Sequence, residues 1–160
     1  MKDYSSSVAP IMQGDKFNLN QCQKNEFKKE QMKNILYASI IESLMYAQVY
    51  TRPDIKFAVG MLGRYQSNPS INHWRAAKKA LRYLKGTKDY MLTYKLSDNL
   101  KVIDYSDLDF SRCFDSLKSI SSYIFMFAGR TISWRSVKQT LTATSTMEAE
   151  FISCFKATSH

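Results

Sequence analysis

The chain has 160 residues, enough for one ordinary domain or two small ones. Lys and Arg number 23 against 14 Asp and Glu, a formal charge of +9, while hydrophobic residues make up 44% and aromatics 13%. That composition can bury a core and excludes a disordered chain. No apolar run reaches the roughly 18 residues of a membrane span, and the start, Met1-Lys2-Asp3-Tyr4-Ser5, lacks the apolar stretch of a signal peptide. Cys22, Cys113 and Cys154 are far apart and form no Cys-x-x-Cys. This argues against a zinc site or disulfide framework and for a reducing, intracellular compartment, cytoplasmic or nuclear. No glycine-rich phosphate loop is present. The positive balance points to an anionic partner, nucleic acid first, because each cation that neutralises a phosphate releases a counterion. The plainer alternative is a basic surface that only confers solubility.

Residues 1–27 are polar and weakly patterned, an extended connector pinned by Val8, Ile11, Met12 and Phe17. Glu26 to Lys33 is charged and tolerates a helix. From Ile35 to Tyr50 the apolar positions crowd together and predict a largely buried helix. Thr51-Arg52-Pro53-Asp54 interrupts it, since proline disfavours the helical region for the residue before it yet suits a first turn. Thr51 is the expected N-cap of the next helix, in which Ile55, Val59, Leu62 and Tyr65 stand at helical spacing. Ser67-Asn68-Pro69-Ser70 ends that segment. A third helix fits Ile71 to Lys85, with Trp74, Ala77, Leu81 and Leu84 as its apolar stripe and Gly86 as its stop.

The period then changes. Tyr90, Leu92 and Tyr94 alternate as a strand would, and Val102 to Phe110 is a second candidate. Ser122–Ala128 and Thr131–Ser136 flank Gly129-Arg130 and read as a hairpin. Leu141 to Thr144 is short and strand-like. Ser145-x-x-Glu148 reads as a capping box opening a last helix to about Thr158. The boundary falls between Gly86 and Asp98.

Three constellations could support chemistry. Arg75, Lys78, Lys79, Arg82 and Lys85 recur at i, i+3, i+4, i+7 and i+10, one helix face without an intervening acid. Such a face can track a phosphate backbone or can simply be solvated. Asp107 and Asp109 share one side of a strand, with Asp104 on the other, and hard oxygen ligands suit magnesium; turn chemistry is the alternative. Glu150 has no capping duty and could be an ordinary exposed helix carboxylate. His73 sits near a helix start, where packing or capping explains it, and His160 is terminal. Cys113 and Cys154 lack a histidine partner in sequence.

Seven strings stand in one order along the chain. They are Ser43-Leu44-Met45-Tyr46, Thr51-Arg52-Pro53-Asp54-Ile55, His73-Trp74-Arg75-Ala76-Ala77-Lys78, Leu81-Arg82-Tyr83-Leu84-Lys85-Gly86-Thr87, Tyr105-Ser106-Asp107-Leu108-Asp109, Ile132-Ser133-Trp134-Arg135-Ser136-Val137-Lys138-Gln139 and Ser145-Thr146-Met147-Glu148-Ala149-Glu150-Phe151. Together they resemble the C-terminal part of Pol polyproteins from copia-type LTR retrotransposons, plant ones in particular. The resemblance implies an α+β chain. Residues 28–98 would be a helical reverse transcriptase thumb or connection-like region that grips template and primer. Residues 99–160 would be the N-terminal portion of a ribonuclease H-like domain, a three-stranded antiparallel meander plus its first helix, truncated before the later strands. The polymerase's Tyr-x-Asp-Asp motif is absent, so no polymerase activity is expected of this chain.

In that family a carboxylate cluster holds two magnesium ions, one activating the attacking water and the other stabilising the leaving oxygen. The first-strand aspartate falls on Asp107 and the helix glutamate on Glu150, with Asp109 in a supporting position. The family's next aspartate follows that helix, beyond His160. The resemblance therefore implies a vestigial site that holds no magnesium stably, in a catalytically inactive Pol fragment with residual affinity for RNA–DNA hybrid or other nucleic acid. Its other partner would be the remainder of Pol; no membrane is implied. Two alternatives are hybrid cleavage when a missing segment is supplied, and a non-catalytic binding or scaffold module. Departures from the family's pattern at Asp104, Ser111-Arg112, Ser119 to Tyr123 and Arg130 replace expected residues, several of them turn glycines, and imply strain wherever φ must be positive. Val102 to Phe110 would form an exposed sheet edge.

Overall fold

Helices occupy the first part of the chain and a three-stranded antiparallel sheet the second, an α+β architecture. The computed structural model describes residues 7–11, 15, 17–96, 98, 100–110 and 115–159. They divide into two compact units, Met1–Met91 and Leu92–His160.

The first unit holds α1 (Glu26–Lys33), α2 (Tyr37–Tyr50), α3 (Lys56–Leu62) and α4 (Ile71–Gly86), with single 3-10 turns at Leu19–Gln21, Pro53–Ile55 and Gly63–Tyr65. Tyr37, Ile41, Leu44, Ile55, Val59, Leu62, Tyr65, Ala77 and Ala80 are each at most 2% exposed and form its core. Each large apolar side chain among them contributes about 1.5–3 kcal/mol of burial. The buried Tyr37 hydroxyl donates to the Leu62 carbonyl at 2.9 Å, and burial raises its pKa well above the usual phenol value.

α2 buries one stripe only, Tyr37, Ile41 and Leu44, and leaves Met45, Tyr46, Val49 and Tyr50 exposed. Thr51 closes α2 rather than capping the next helix: its N–H bonds the Ala47 carbonyl, and Pro53 opens a 3-10 turn with no side-chain cap. The buried stripe of α4 is His73, Ala76, Ala77 and Ala80, because small residues let its neighbours approach closely; Trp74, Leu81 and Leu84 are half-buried at its flank. Gly86 is the last residue of α4, and Thr87 caps it. In the N-terminal segment Phe17 is buried but Val8 is 95% exposed, so Val8 pins nothing. Met12 lies outside the described residues.

The second unit is a meander, β1 (Val102–Asp109), β2 (Ile120–Phe127) and β3 (Arg130–Lys138), followed by α5 (Thr146–Thr158). Asp107 pairs with Ser122 and Ser122 with Ser136, and the register slips between Phe125 and Met126. β1 is an edge strand and is exposed along most of its length. Tyr90 to Tyr94 and Leu141 to Thr144 are not strands; alternation alone supplies no partner for the backbone groups. The β2–β3 turn is Ala128-Gly129, with φ of 51° and 73°, the left-handed pair that a two-residue hairpin requires. Arg130 is already in β3, so strain falls on Ala128 instead. Among the described residues Leu117 is the other non-glycine with positive φ, so Asp104 and Ser119–Tyr123 are not strained by their substitutions. Ser111 and Arg112 lie outside the described residues.

The core of this unit is thin. Its buried apolar residues are Ile120, Tyr123, Ala143, Ala149 and Ala157, and buried beside them are Ser119, Ser121, Gln139 and Ser153. Gln139, 1% exposed, joins helix to sheet: its amide donates to Ser121 Oγ at 2.8 Å and to the Ala149 carbonyl at 2.9 Å. No helix among the described residues is long and apolar enough to cross a membrane.

Candidate nucleic-acid interface and carboxylate pair

α4 begins with a reciprocal cap. Ser70 Oγ accepts from the His73 N–H at 3.4 Å, and His73 Nδ1 accepts from the Ser70 N–H at 3.0 Å. The His73 ring stacks on Tyr65, centroids 4.1 Å apart and 9° from parallel, and meets Phe17 at 5.7 Å. His73 is therefore a packing and capping residue. It also fixes the rotation of the helix, because its side is the buried side. At about 100° per residue, Arg75, Lys78, Lys79, Arg82 and Lys85 then fall on the opposite arc.

The five cations are not equivalent. Arg75 and Lys85 are exposed. Lys78 Nζ lies 5.4 Å from the centroid of the Trp74 ring, a cation–π contact. Arg82 Nε donates to the Lys78 carbonyl at 3.4 Å. Lys79 pairs with Asp15 at 2.9 Å. Arg75, Lys79 and Arg82, with Asp15, Gln21 and Asn72, line an open concavity of about 470 Å³.

A cluster the sequence reading did not find closes the other end of α4. Arg52, 7% exposed, grips Asp54 through Nε at 3.0 Å and a second nitrogen at 2.7 Å. The same guanidinium donates to the Thr87 carbonyl at 3.0 Å and to Thr87 Oγ1 at 2.5 Å, and so caps the C-terminus of the helix. Tyr83 donates to Asp54 at 2.7 Å, and the Tyr83 and Tyr90 rings lie 5.5 and 5.7 Å from the guanidinium carbon. Burial pushes the Asp54 carboxyl up, but hydrogen bonds from Arg52 and Tyr83 outweigh it and hold it below the usual carboxylate range. The adjacency of Arg52, Pro53 and Asp54 was the available signal: a paired Arg and Asp about a rigid proline.

The carboxylates of the second unit are arranged differently. Asp107 is exposed on β1 and Glu150 exposed on α5; Asp109 is half-buried. α5 packs against β1 and β2. Ser106 Oγ meets Cys154 Sγ at 3.6 Å, and Ser153 Oγ reaches the Asp107 carbonyl at 3.5 Å. Since Ser106 faces α5, strand alternation turns the Asp107 and Asp109 side chains to the opposite face. The fold thus packs the two elements that carry Asp107 and Glu150 against each other. Magnesium requires near-octahedral oxygen donors, and among the described residues no three His, Cys, Asp or Glu are placed to hold a metal.

Glu148 fills half of the expected capping box. Ser145 Oγ accepts from its N–H at 3.2 Å, but its carboxylate accepts from the Thr144 N–H and hydroxyl at 2.7 and 2.8 Å, one residue earlier than Ser145. The Thr144 N–H and hydroxyl hold its pKa below the ordinary value. Cys22 and Cys154 are in no disulfide, and Cys113 and His160 lie outside the described residues.

The chain is similar to proteins of two lengths. It is 41% identical over 127 residues to the secreted RxLR effector protein 161 of Plasmopara viticola, covering 79% of this chain and 89% of that protein. It is 40% identical over 152 residues to the retrovirus-related Pol polyprotein from transposon TNT 1-94 of Nicotiana tabacum, and 39% identical over 115 residues to that from transposon RE2 of Arabidopsis thaliana. Those alignments cover 95% and 72% of this chain but only 11% and 8% of the polyproteins. No family profile and no solved structure matches.

Proposed function

The chain belongs to the copia-type Pol polyproteins of LTR retrotransposons, and from that premise we propose that it is a nucleic-acid-gripping segment of Pol without a hydrolytic centre of its own. Residues 28–98 are the thumb or connection-like part of the reverse transcriptase region. Residues 99–160 are the opening of the ribonuclease H-like domain. The partner is RNA–DNA hybrid or a related nucleic acid, and the contact is the basic arc of α4. The observation that supports this is the rotation of α4: His73, Ala77 and Ala80 are buried, and five cations occupy the side away from them.

The hydrolytic half of the reading turns on oxygen donors. Asp107 and Glu150 are the two positions matching the family's carboxylates. Both are exposed, and strand alternation sets Asp107 on the side opposite Ser106, which meets α5. No stable magnesium and no hybrid cleavage follow for this chain unaided. The test is incubation with a labelled RNA–DNA hybrid and magnesium. Binding without cleavage is expected, whereas turnover lost in Asp107→Asn would refute the inactive reading. Cleavage restored by adding the following Pol segment would support a complemented enzyme.

A second reading rests on length. A protein named as a secreted effector is matched over 89% of its extent, so a segment of this size can stand as a chain by itself. On that reading this chain would serve as a non-catalytic binding or scaffold module. Hybrid binding insensitive to salt would favour that reading over a phosphate grip.

A further inference from the structure

Resting on the nucleic-acid reading of α4, we infer that Asp15 is an internal stand-in for a backbone phosphate, which a nucleic acid must displace from Lys79 to enter the concavity. The pair is tertiary, with 64 residues between its members, and its oxygen lies 2.9 Å from Lys79 Nζ. A phosphate oxygen accepts from an ammonium at about the same distance, roughly 2.7–2.9 Å. The two side chains are 26% and 29% exposed, so water screens them less than it does a fully exposed pair. Arg75 and Arg82 border the same concavity, about 470 Å³, and a guanidinium fork matches a phosphate. Space and charge therefore suit one phosphodiester where one carboxylate now sits.

Phe17 supplies the tether. It lies two residues beyond Asp15, is 5% exposed and packs on His73 at 5.7 Å. Anchored there, Asp15 competes intramolecularly and at high effective concentration. Lys78 and Lys85 lie outside the lining of the concavity, so the arc has an ungated part that makes first contact and a gated part that engages afterwards.

The test is fluorescence anisotropy of a labelled RNA–DNA hybrid with the full chain, repeated across a salt series. Asp15→Asn should bind about two- to fivefold more tightly, the range set by removing a partly exposed ion pair. Its plot of log affinity against log salt should keep the parent's slope, because Lys79 meets the phosphate in both chains once Asp15 is displaced. Adding Lys79→Gln should erase the gain and make the slope shallower by about 0.9, and Asp89→Asn, an exposed acid beyond α4, should give a smaller gain. An unchanged or weaker affinity in Asp15→Asn, a gain matched by Asp89→Asn, or one surviving Lys79→Gln would overturn the inference and leave the parent reading standing. Parent affinity unmoved when Arg75, Lys78 and Lys85 are neutralised together would overturn the nucleic-acid reading instead, and no binding by any variant would overturn both.

Discussion

Arg52→Ala should destabilise the helical unit and leave the sheet unit untouched. The guanidinium makes two bonds to Asp54 and two to Thr87, at 2.5 to 3.0 Å. Its loss leaves Asp54 with Tyr83 as the remaining side-chain donor in the cluster and uncaps the end of α4. Breaking a buried pair by removing one partner costs about 3–5 kcal/mol. Asp54 keeps 33% exposure, so water recovers part of that and about 2–3 kcal/mol is expected. For a unit of this size the midpoint falls by about 10–20 °C. Arg52→Lys keeps the charge without the fork and should lose about half as much. The chain provides its own assay, because it has two tryptophans, Trp74 in the first unit and Trp134 in the second. Trp134→Phe and Trp74→Phe backgrounds each report one unit. The pH sign is also fixed. Asp54 is held below its unfolded value, so its contribution is complete above about pH 4 and is lost as pH falls further, through the folded value. Arg52→Ala should flatten that acid limb in the Trp74 signal. An unchanged Trp74 midpoint, or an equal drop in the Trp134 midpoint, would refute the clasp.

Other outcomes follow from the same structure. In the parent the Trp134 transition should precede the Trp74 transition on heating, because the second unit buries few large apolar side chains; coincident transitions would contradict this. Gln139→Ala should cost the second unit about 1–3 kcal/mol, since it removes both buried donors between β2 and α5, read as a lower urea midpoint of the Trp134 signal alone. Asp107→Asn and Glu150→Gln should each change stability by no more than about 0.5 kcal/mol in the same assay, being exposed.

Local patterns were legible where one residue type decides them. The charged run from Glu26 to Lys33 is α1, Ser145 starts α5, and the positive φ of Gly129 marks the hairpin. His73 was readable as a packed or capping residue, and it is both. What escaped depends on partners distant in sequence. The face of α4 is set by Tyr65 stacking on His73, which selects a small-residue stripe over the larger Trp74 and Leu81. The Arg52 clasp joins positions 35 residues apart. Thr51 looked like an N-cap, but Pro53 starts a 3-10 turn, so its hydroxyl turns back to Ala47 at 3.5 Å. In the second unit the face on which Asp107 leaves β1 was not readable, because it depends on where α5 docks.

The role proposed for the cations of α4 is a phosphate grip. The most direct measurement is the salt dependence of RNA–DNA hybrid affinity for the parent chain against a chain with Lys78, Arg82 and Lys85 changed to Gln. A phosphate grip predicts a parent slope that becomes shallower by about 0.9 for each cation removed. Equal slopes in the two chains would contradict it.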